Sequence, residues 1–263
     1  MCGRFAVTLP PESFREAYGY VETPNFPPRY NIAPTQPVGV VIQEGEARHF
    51  RLMRWGFLPG WVKDAKDFPL VINARRESIT QKPTFRAAIR RRRCVFLADA
   101  FYEWQREGGE KTPFAVRMQS LGPMPMAGIW ETWSDPQGGE IDTAAIVTTD
   151  ANGLLSAIHH RMPVILGKAG LAAWLDPQTP LDRVGGLTDP CPDDWLRLDR
   201  VSRRVNKVAN DDAALLEPAT DDESSRAPGA SARETDARRA DEQGQGQGQE
   251  QGQETKPRQG SLF

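Results

Sequence analysis

Few of the residues from which catalytic centres are commonly built occur in this sequence. Among 263 residues there are three cysteines and three histidines. The cysteines, Cys2, Cys94 and Cys191, are odd in number and widely spaced, which fits neither a disulfide framework nor a CxxC metal site. No metal and no other cofactor is expected. No apolar run approaches the roughly 18 residues that span a bilayer, so no membrane partner is expected. The N-terminus lacks the basic stretch followed by an apolar one that marks a secretory signal. GxGxxG, GxxxxGK[ST] and any repeat of solenoid period are also missing, which argues against dinucleotide, P-loop and repeat architectures. A reducing, cytoplasmic setting is expected, in which thiols persist.

What is present describes a globular body with an appended tail. Hydrophobic residues make up 39% and charged residues 26%, the proportions of a folded soluble domain. Residues 217–263 contain no Val, Ile, Met, Trp or Tyr and include GQGQGQEQGQE. Such a segment buries too little apolar surface to offset its conformational entropy, so it is expected to be disordered. It carries ten acidic and six basic residues, a net of −4, and the remaining 27 basic and 25 acidic residues leave residues 1–216 at +2. The expected organisation is one domain over 1–216 and a tail over 217–263, acting as a monomer.

Within the body, GRFAVTL, VGVVI, HFRLMRWGF, PLVINAR, CVFLA, FYEWQ, PFAVRM, MAGIWETW and TAAIVTT read as strands from their β-branched and aromatic content. PESFREAYG, PTFRAAIRRRR, ANGLLSAIH and KAGLAAWL read as helices. Pro begins two of them, and Asp150 is the expected N-cap of the third. Many strands with few helices and no βα rhythm predict an α+β domain with a curved, mostly antiparallel, barrel-like sheet flanked by short helices.

Several residues have the chemistry for a site. Removal of Met1 would leave Cys2 with a free α-amine beside its thiol, a 1,2-aminothiol that no internal cysteine has; a buried first strand is the plainer reading. Glu103, in FYEW, shares a strand face with Phe101. It reads equally as a general acid in an apolar setting or as a carboxylate satisfied by an arginine. His49 reads as a solvent-facing strand residue. His159 and His160 close a helix, where a capping imidazole and a catalytic one look alike. Asn73 ends an apolar strand just before Arg75 and Arg76. Arginine forks bind phosphate, and Trp55, Phe57, Trp61 and Phe68 offer faces on which bases stack, at roughly 1–3 kcal/mol each. The run Arg90–Arg93 reads as a solvated helix end.

The opening MCG is shared with class II glutamine amidotransferases, but GRF replaces their next residues and no NGEI-like stretch follows. A fuller resemblance runs through MCGRF, RYNIAPTQ, MRWGFLPGW, INARRES, RRCVFLADAFYEW, IHHRMPVIL, WLDP and VSRRVNKVANDD. In this order these motifs resemble the SRAP family of abasic-site processing proteins, also described as SOS response-associated peptidases. The resemblance covers about residues 2–216. It implies that Cys2 bonds covalently to abasic single-stranded DNA, that Asn73 helps sense the abasic site, and that Glu103 acts on the sugar. The H-x-R-M-P pattern selects His159 over His160. Arg4 and Arg75 are implied near phosphates, and Asn73, Trp61 and Arg161 are grouped with them as DNA-binding residues. Ala100 stands where the family usually has Gly.

The implied chemistry suits a chain terminus. An α-amine with a pKa of about 7.7–8.0 is roughly one-third neutral at pH 7.5, against about one part in a thousand for a lysine. Its Schiff base with the sugar aldehyde is closed by the tethered thiol into a thiazolidine. An N-terminal-cysteine peptidase with His159 as base, and a non-catalytic single-strand binding module, are the competing readings. At the far end, Gln259, Leu262 and Phe263 of QGSLF resemble the peptide bound by the bacterial sliding clamp, a second expected partner.

Overall fold

The structure, a computed structural model, describes residues 2–219. Its strands in chain order are β1 (Phe5–Val7), β2 (Arg29–Ile32), β3 (Pro37–Glu44), β4 (Ala47–Trp55), β5 (Asn73–Arg75) and β6 (Arg93–Phe96). There follow β7 (Ala100–Glu107), β8 (Glu110–Met118), β9 (Met126–Ser134), β10 (Glu140–Asp150), β11 (Arg161–Pro163) and β12 (Leu196–Arg200). The five helices are α1 (Pro11–Tyr18), α2 (Ala88–Arg91), α3 (Gly153–Ser156), α4 (Lys168–Leu175) and α5 (Leu181–Gly186).

Strands β10, β4, β3, β6 and β9 pair in that order, and β9 pairs back to β10, closing a five-stranded barrel. Only β4–β10 is parallel within the ring; β5 and β11 extend β10 beyond it. At the β6–β9 contact a side chain on Gly128 would meet the Phe96 ring at 2.5 Å, so close approach requires glycine there. A second sheet, β12-β8-β7-β1-β2, is antiparallel throughout. The α+β, curved-sheet expectation is met by this arrangement.

Alternation along β1 and β7 buries the second sheet on both faces. Phe5 and Phe101 join the main core, where the Phe5 ring lies edge-on to Trp55 at 5.1 Å and to Phe96 at 6.2 Å. Ala6, Ala100 and Tyr102 face the other way and are covered by Val201, Val205 and Leu215. Asn31 ties this cover down. Its Nδ2 donates to the carbonyls of Val205, Lys207 and Asn210, while its Oδ1 accepts from Arg4.

Some expectations need correction. The helix expected over PTFRAAIRRRR is a single turn, because β6 must begin at Arg93 to pair with Ile129 of β9. Arg93 is not solvated. It is buried and donates to the carbonyls of Trp174, Ile89, Arg90 and Asp176, capping the ends of α4 and α2 together. The N-cap of α3 is Asn152, whose side chain accepts from the Leu155 amide, because Asp150 still belongs to β10 and pairs with Arg161. His49 is half-buried and pairs with Glu22 at 2.7 Å. Strands β2, β11 and β12 were not expected; they are short or polar and exist through distant partners.

Of the tail expected from residue 217, residues 217–219 are described. The Ala219 amide donates to the Arg200 carbonyl, so the body reaches at least to residue 219. Gln259, Leu262 and Phe263 lie outside the described residues. Among the described residues no helix is long and apolar enough to cross a membrane.

Replacing Arg93 by Ala removes the donor to four carbonyls, two of them on the buried Ile89 and Trp174, and is expected to destabilise the fold by about 3 kcal/mol or more. Arg91→Ala, at an exposed position two residues earlier, stays within about 0.5 kcal/mol. Urea denaturation of the two variants measures the difference, and equal effects would contradict the capping role.

Candidate active site

Three parts of the chain meet at its start. The β1–β7 register pairs Phe5 with Phe101 and Ala6 with Ala100, and the Tyr102 amide donates to the Arg4 carbonyl at 2.9 Å. Beyond this bond the chain start continues through Gly3, and Glu103 comes directly after Tyr102 on β7. Cys2 follows, with no exposed surface and its Sγ 3.9 Å from the Arg4 carbonyl oxygen.

The second part is β5. Asn73 Nδ2 donates to the Cys2 carbonyl at 2.9 Å, and Asn73 Oδ1 is buried with no hydrogen-bond partner. Because β5 pairs with β10, this bond joins the chain start to the barrel side of the molecule. The third part is the segment between α3 and β11, held to β7 by a bond from Gln105 Nε2 to the Ala157 carbonyl at 3.2 Å. His159 lies here, beyond the helix it was expected to close. Its Nδ1 accepts from the Arg161 amide at 3.0 Å, which leaves Nε2 to carry the proton of the neutral ring. The Arg161 carbonyl is 3.1 Å from the same Nδ1, ready to accept from it once the ring is cationic. The His160 ring stacks on His159 with centroids 4.4 Å apart.

These groups respond to one another's charge. Burial pushes the Cys2 thiol far above its ordinary value, and the Glu103 carboxylate pushes it further in the same direction. Burial lowers the His159 imidazole, while Glu103 opposes that shift; the net direction is down. At neutral pH the site therefore holds a neutral thiol and a neutral imidazole. Glu103, itself buried, and His159 line an open cleft of about 510 Å³ with Trp104, Arg106, Lys111 and Asn206. Arg106 and Lys111 make its rim cationic. Trp104 Nε1 donates to Asn206 Oδ1 at 2.7 Å, and the Arg4 guanidinium lies 6.0 Å from the Trp104 ring centroid.

Cys2, Asn73, Glu103 and His159 are thus gathered, although 157 positions separate the first from the last. Arg75 is exposed at the end of β5. Arg4 is half-buried and donates to Asn31 Oδ1 at 2.7 Å and to the Val205 carbonyl at 2.9 Å, so it clamps the fold as well as bordering the cleft. Arg161 is buried against Glu77 and Asp150. Trp61 is 61% exposed and packs edge-on to Phe68, which in turn packs against the cluster of Leu58, Val62 and Trp133. No sequence signal marks Asn31 and Asn206, which acquire their places through partners distant along the chain, or Arg106 and Lys111, which face each other across the β7–β8 hairpin and read as ordinary strand-end charges. Among the described residues no three His, Cys, Asp or Glu side chains form a group that would hold a metal.

The charge relations at His159 have a measurable consequence. Its imidazole is expected to titrate below the ordinary value of 6.5 in an NMR pH series. Since the Glu103 charge holds the ring up, Glu103→Gln should lower the midpoint further. A rise in that variant would contradict the arrangement.

Abasic site processing protein YoqW of Bacillus subtilis is 35% identical over 222 residues, covering 82% of this chain and 99% of that protein. Abasic site processing protein HMCES of Gallus gallus is 30% identical over 263 residues, covering 83% of this chain and 78% of its own. Among solved structures, a Bacteroides thetaiotaomicron protein superposes with a TM-score of 0.74 at 25% identity, covering 82% of this chain and all of the other. A phage-related protein of Bordetella bronchiseptica gives 0.63 at 27% identity, over 76% of this chain and 94% of that one. The sequence model of one family matches residues 1–208, and with it the chain belongs to the SOS response associated peptidase (SRAP) family.

Proposed function

We propose that this protein captures abasic sites in single-stranded DNA by forming a thiazolidine between Cys2 and the deoxyribose aldehyde, once Met1 has been removed. The observation that carries the reading is the grouping of a terminal cysteine, held through its carbonyl by Asn73, with Glu103 and His159 on a cationic cleft. Relatives named as abasic site processing proteins support the choice of DNA lesion.

In the proposed sequence, the sugar ring opens by moving a proton from its C1′ hydroxyl to the ring oxygen. The Cys2 amine then adds to the C1′ aldehyde, and protonation of the resulting hydroxyl releases water and leaves an iminium. The thiol sulfur adds to the same carbon and gives up its proton, closing the five-membered ring with one water as the only by-product. Glu103 and the neutral His159 are the groups that deliver and receive these protons. Asn73 holds the Cys2 backbone and presents Oδ1 as an acceptor to the amine or to the opened sugar. Arg75, Arg106 and Lys111 take the strand's phosphates, and Trp61 offers an exposed face to a base.

The state of the thiol favours capture over peptidase chemistry. A cysteine peptidase needs a thiol with a depressed pKa, and burial moves Cys2 the other way. In ring closure the amine attacks first, and the thiol follows as a tethered partner of high effective concentration.

Purified protein incubated with an abasic single-stranded oligonucleotide should give an adduct that survives heat and SDS. Cys2→Ser should leave only an adduct trappable by borohydride, a retained Met1 should leave none, and Glu103→Gln should slow capture by about 10²–10⁴-fold. A wild-type protein that yields no stable adduct would refute the proposal; full function in Cys2→Ala would favour a non-catalytic binding module.

The second expected partner is assigned to the QGSLF segment, which we propose tethers the protein to the sliding clamp. Pull-down with purified clamp should succeed with the full chain and fail after Leu262→Ala with Phe263→Ala. Equal capture of both would dismiss the tether.

A further inference from the structure

Arg161 lies beside the proposed site in a state of unequal burial. Its side chain is 7% exposed, whereas the two carboxylates that hold it, Glu77 and Asp150, are 47% and 77% exposed. Arg161 Nη1 donates to Glu77 Oε1 and to Asp150 Oδ1, both at 2.6 Å, and Nη2 donates to Glu77 Oε2 at 3.1 Å. On its inner side, Nη2 donates to the Thr148 carbonyl at 2.8 Å and lies 3.5 Å from Thr148 Oγ1. Nε is buried with no partner. The guanidinium is therefore anchored to the barrel strand, and one positive charge is shared between two carboxylates.

The surroundings connect this group to the site. Glu77 comes four residues after Asn73 and two after the exposed Arg75. The Arg161 amide fixes the His159 ring through Nδ1. Pairing with Arg161 outweighs the burial of the Glu77 carboxyl and holds it below its ordinary range, so the carboxylate is charged at neutral pH. A buried guanidinium requires an anion, because leaving it unpaired is strongly unfavourable. The carboxylate fork offers the same two-oxygen geometry as a phosphate. Two half-exposed or exposed carboxylates can rotate into water at little loss, whereas the anchored arginine cannot follow them.

We propose that Glu77 and Asp150 mask a phosphate-binding arginine: they occupy Arg161 in the free protein and are displaced by a backbone phosphate of the bound strand. This inference rests on the DNA-binding reading above and adds a competitor internal to the site. The mask lowers affinity for nucleic acid that does not seat a phosphate at Arg161, and it keeps the arginine and the His159 segment ordered while the cleft is empty.

Fluorescence anisotropy with an intact single-stranded oligonucleotide, which offers no aldehyde, separates binding from capture. Glu77→Gln should bind about fivefold more tightly than wild type at 0.1 M salt, with a log–log salt slope steeper by less than about 0.7, because the same phosphate is seated in both and only the wild type frees a carboxylate that takes up a cation. Asp150→Asn should shift both in the same direction and serves as the deciding variant if Glu77→Gln does not fold. In an Arg161→Gln background the gain from Glu77→Gln should vanish. Unchanged or weaker binding by the folded variants, or a gain that persists without Arg161, overturns the mask. Failure of the wild-type protein to bind the oligonucleotide at any salt concentration would instead overturn the DNA reading and the mask with it.

Discussion

Chain termini fray unless neighbouring structure holds them, and in this protein Cys2 and Phe5–Val7 are buried. Strand β1 is only three residues long, yet it is paired on both edges, by β2 and β7. Phe5 fixes it from one side by inserting between Trp55 and Phe96, and the 201–216 segment closes over Ala6 from the other. The hydrogen bond from Asn73 to the Cys2 carbonyl then joins this strand to β5, which is built on the barrel. Everything proposed for the site depends on that immobilisation, since a frayed terminus would hold neither the bond from Asn73 to the Cys2 carbonyl nor the burial of Cys2.

Buried polar side chains that bind backbone carbonyls hold the remaining parts. Asn31 reaches three carbonyls of the 205–210 segment and also receives Arg4. Arg93 caps two helices, and Arg161 anchors to the Thr148 carbonyl. Each satisfies several acceptors with one side chain, so irregular segments can be buried without orphaned carbonyls. The arrangement makes the last part of the body a structural partner of the first.

The electrostatic character of the site follows from the same burial. Desolvation favours the neutral forms of Cys2 and His159, and Glu103 supplies the negative charge that modulates both. In the proposed reaction, where Met1 is removed and nitrogen attacks first, a neutral thiol beside the freed amine is the suitable form. The cationic rim of Arg106 and Lys111 lies on the exposed side of the cleft, where a strand would approach, and the carboxylates on Arg161 keep one further cation reserved.

Local sequence determined a great deal. β-branched and aromatic runs marked nine of the twelve strands, Pro11 marked the start of α1, and the ordered motifs from MCGRF to VSRRVNKVANDD marked the family. Alternation along FYEW correctly separated Phe101 from Tyr102 and Trp104, because side-chain direction in a strand is set within two residues. Tertiary structure decided the rest. Closing the barrel fixed β6 at Arg93, which shortened α2 and buried an arginine that reads as solvated. Asp150 left its expected capping role because Arg161 lies across from it in β11. Arg4 is committed to Val205, 201 positions away, and no local pattern carries such a pairing. Residue type and spacing report which side chains can do chemistry. Which of them are free to do it depends on partners that only the folded chain brings within hydrogen-bond distance.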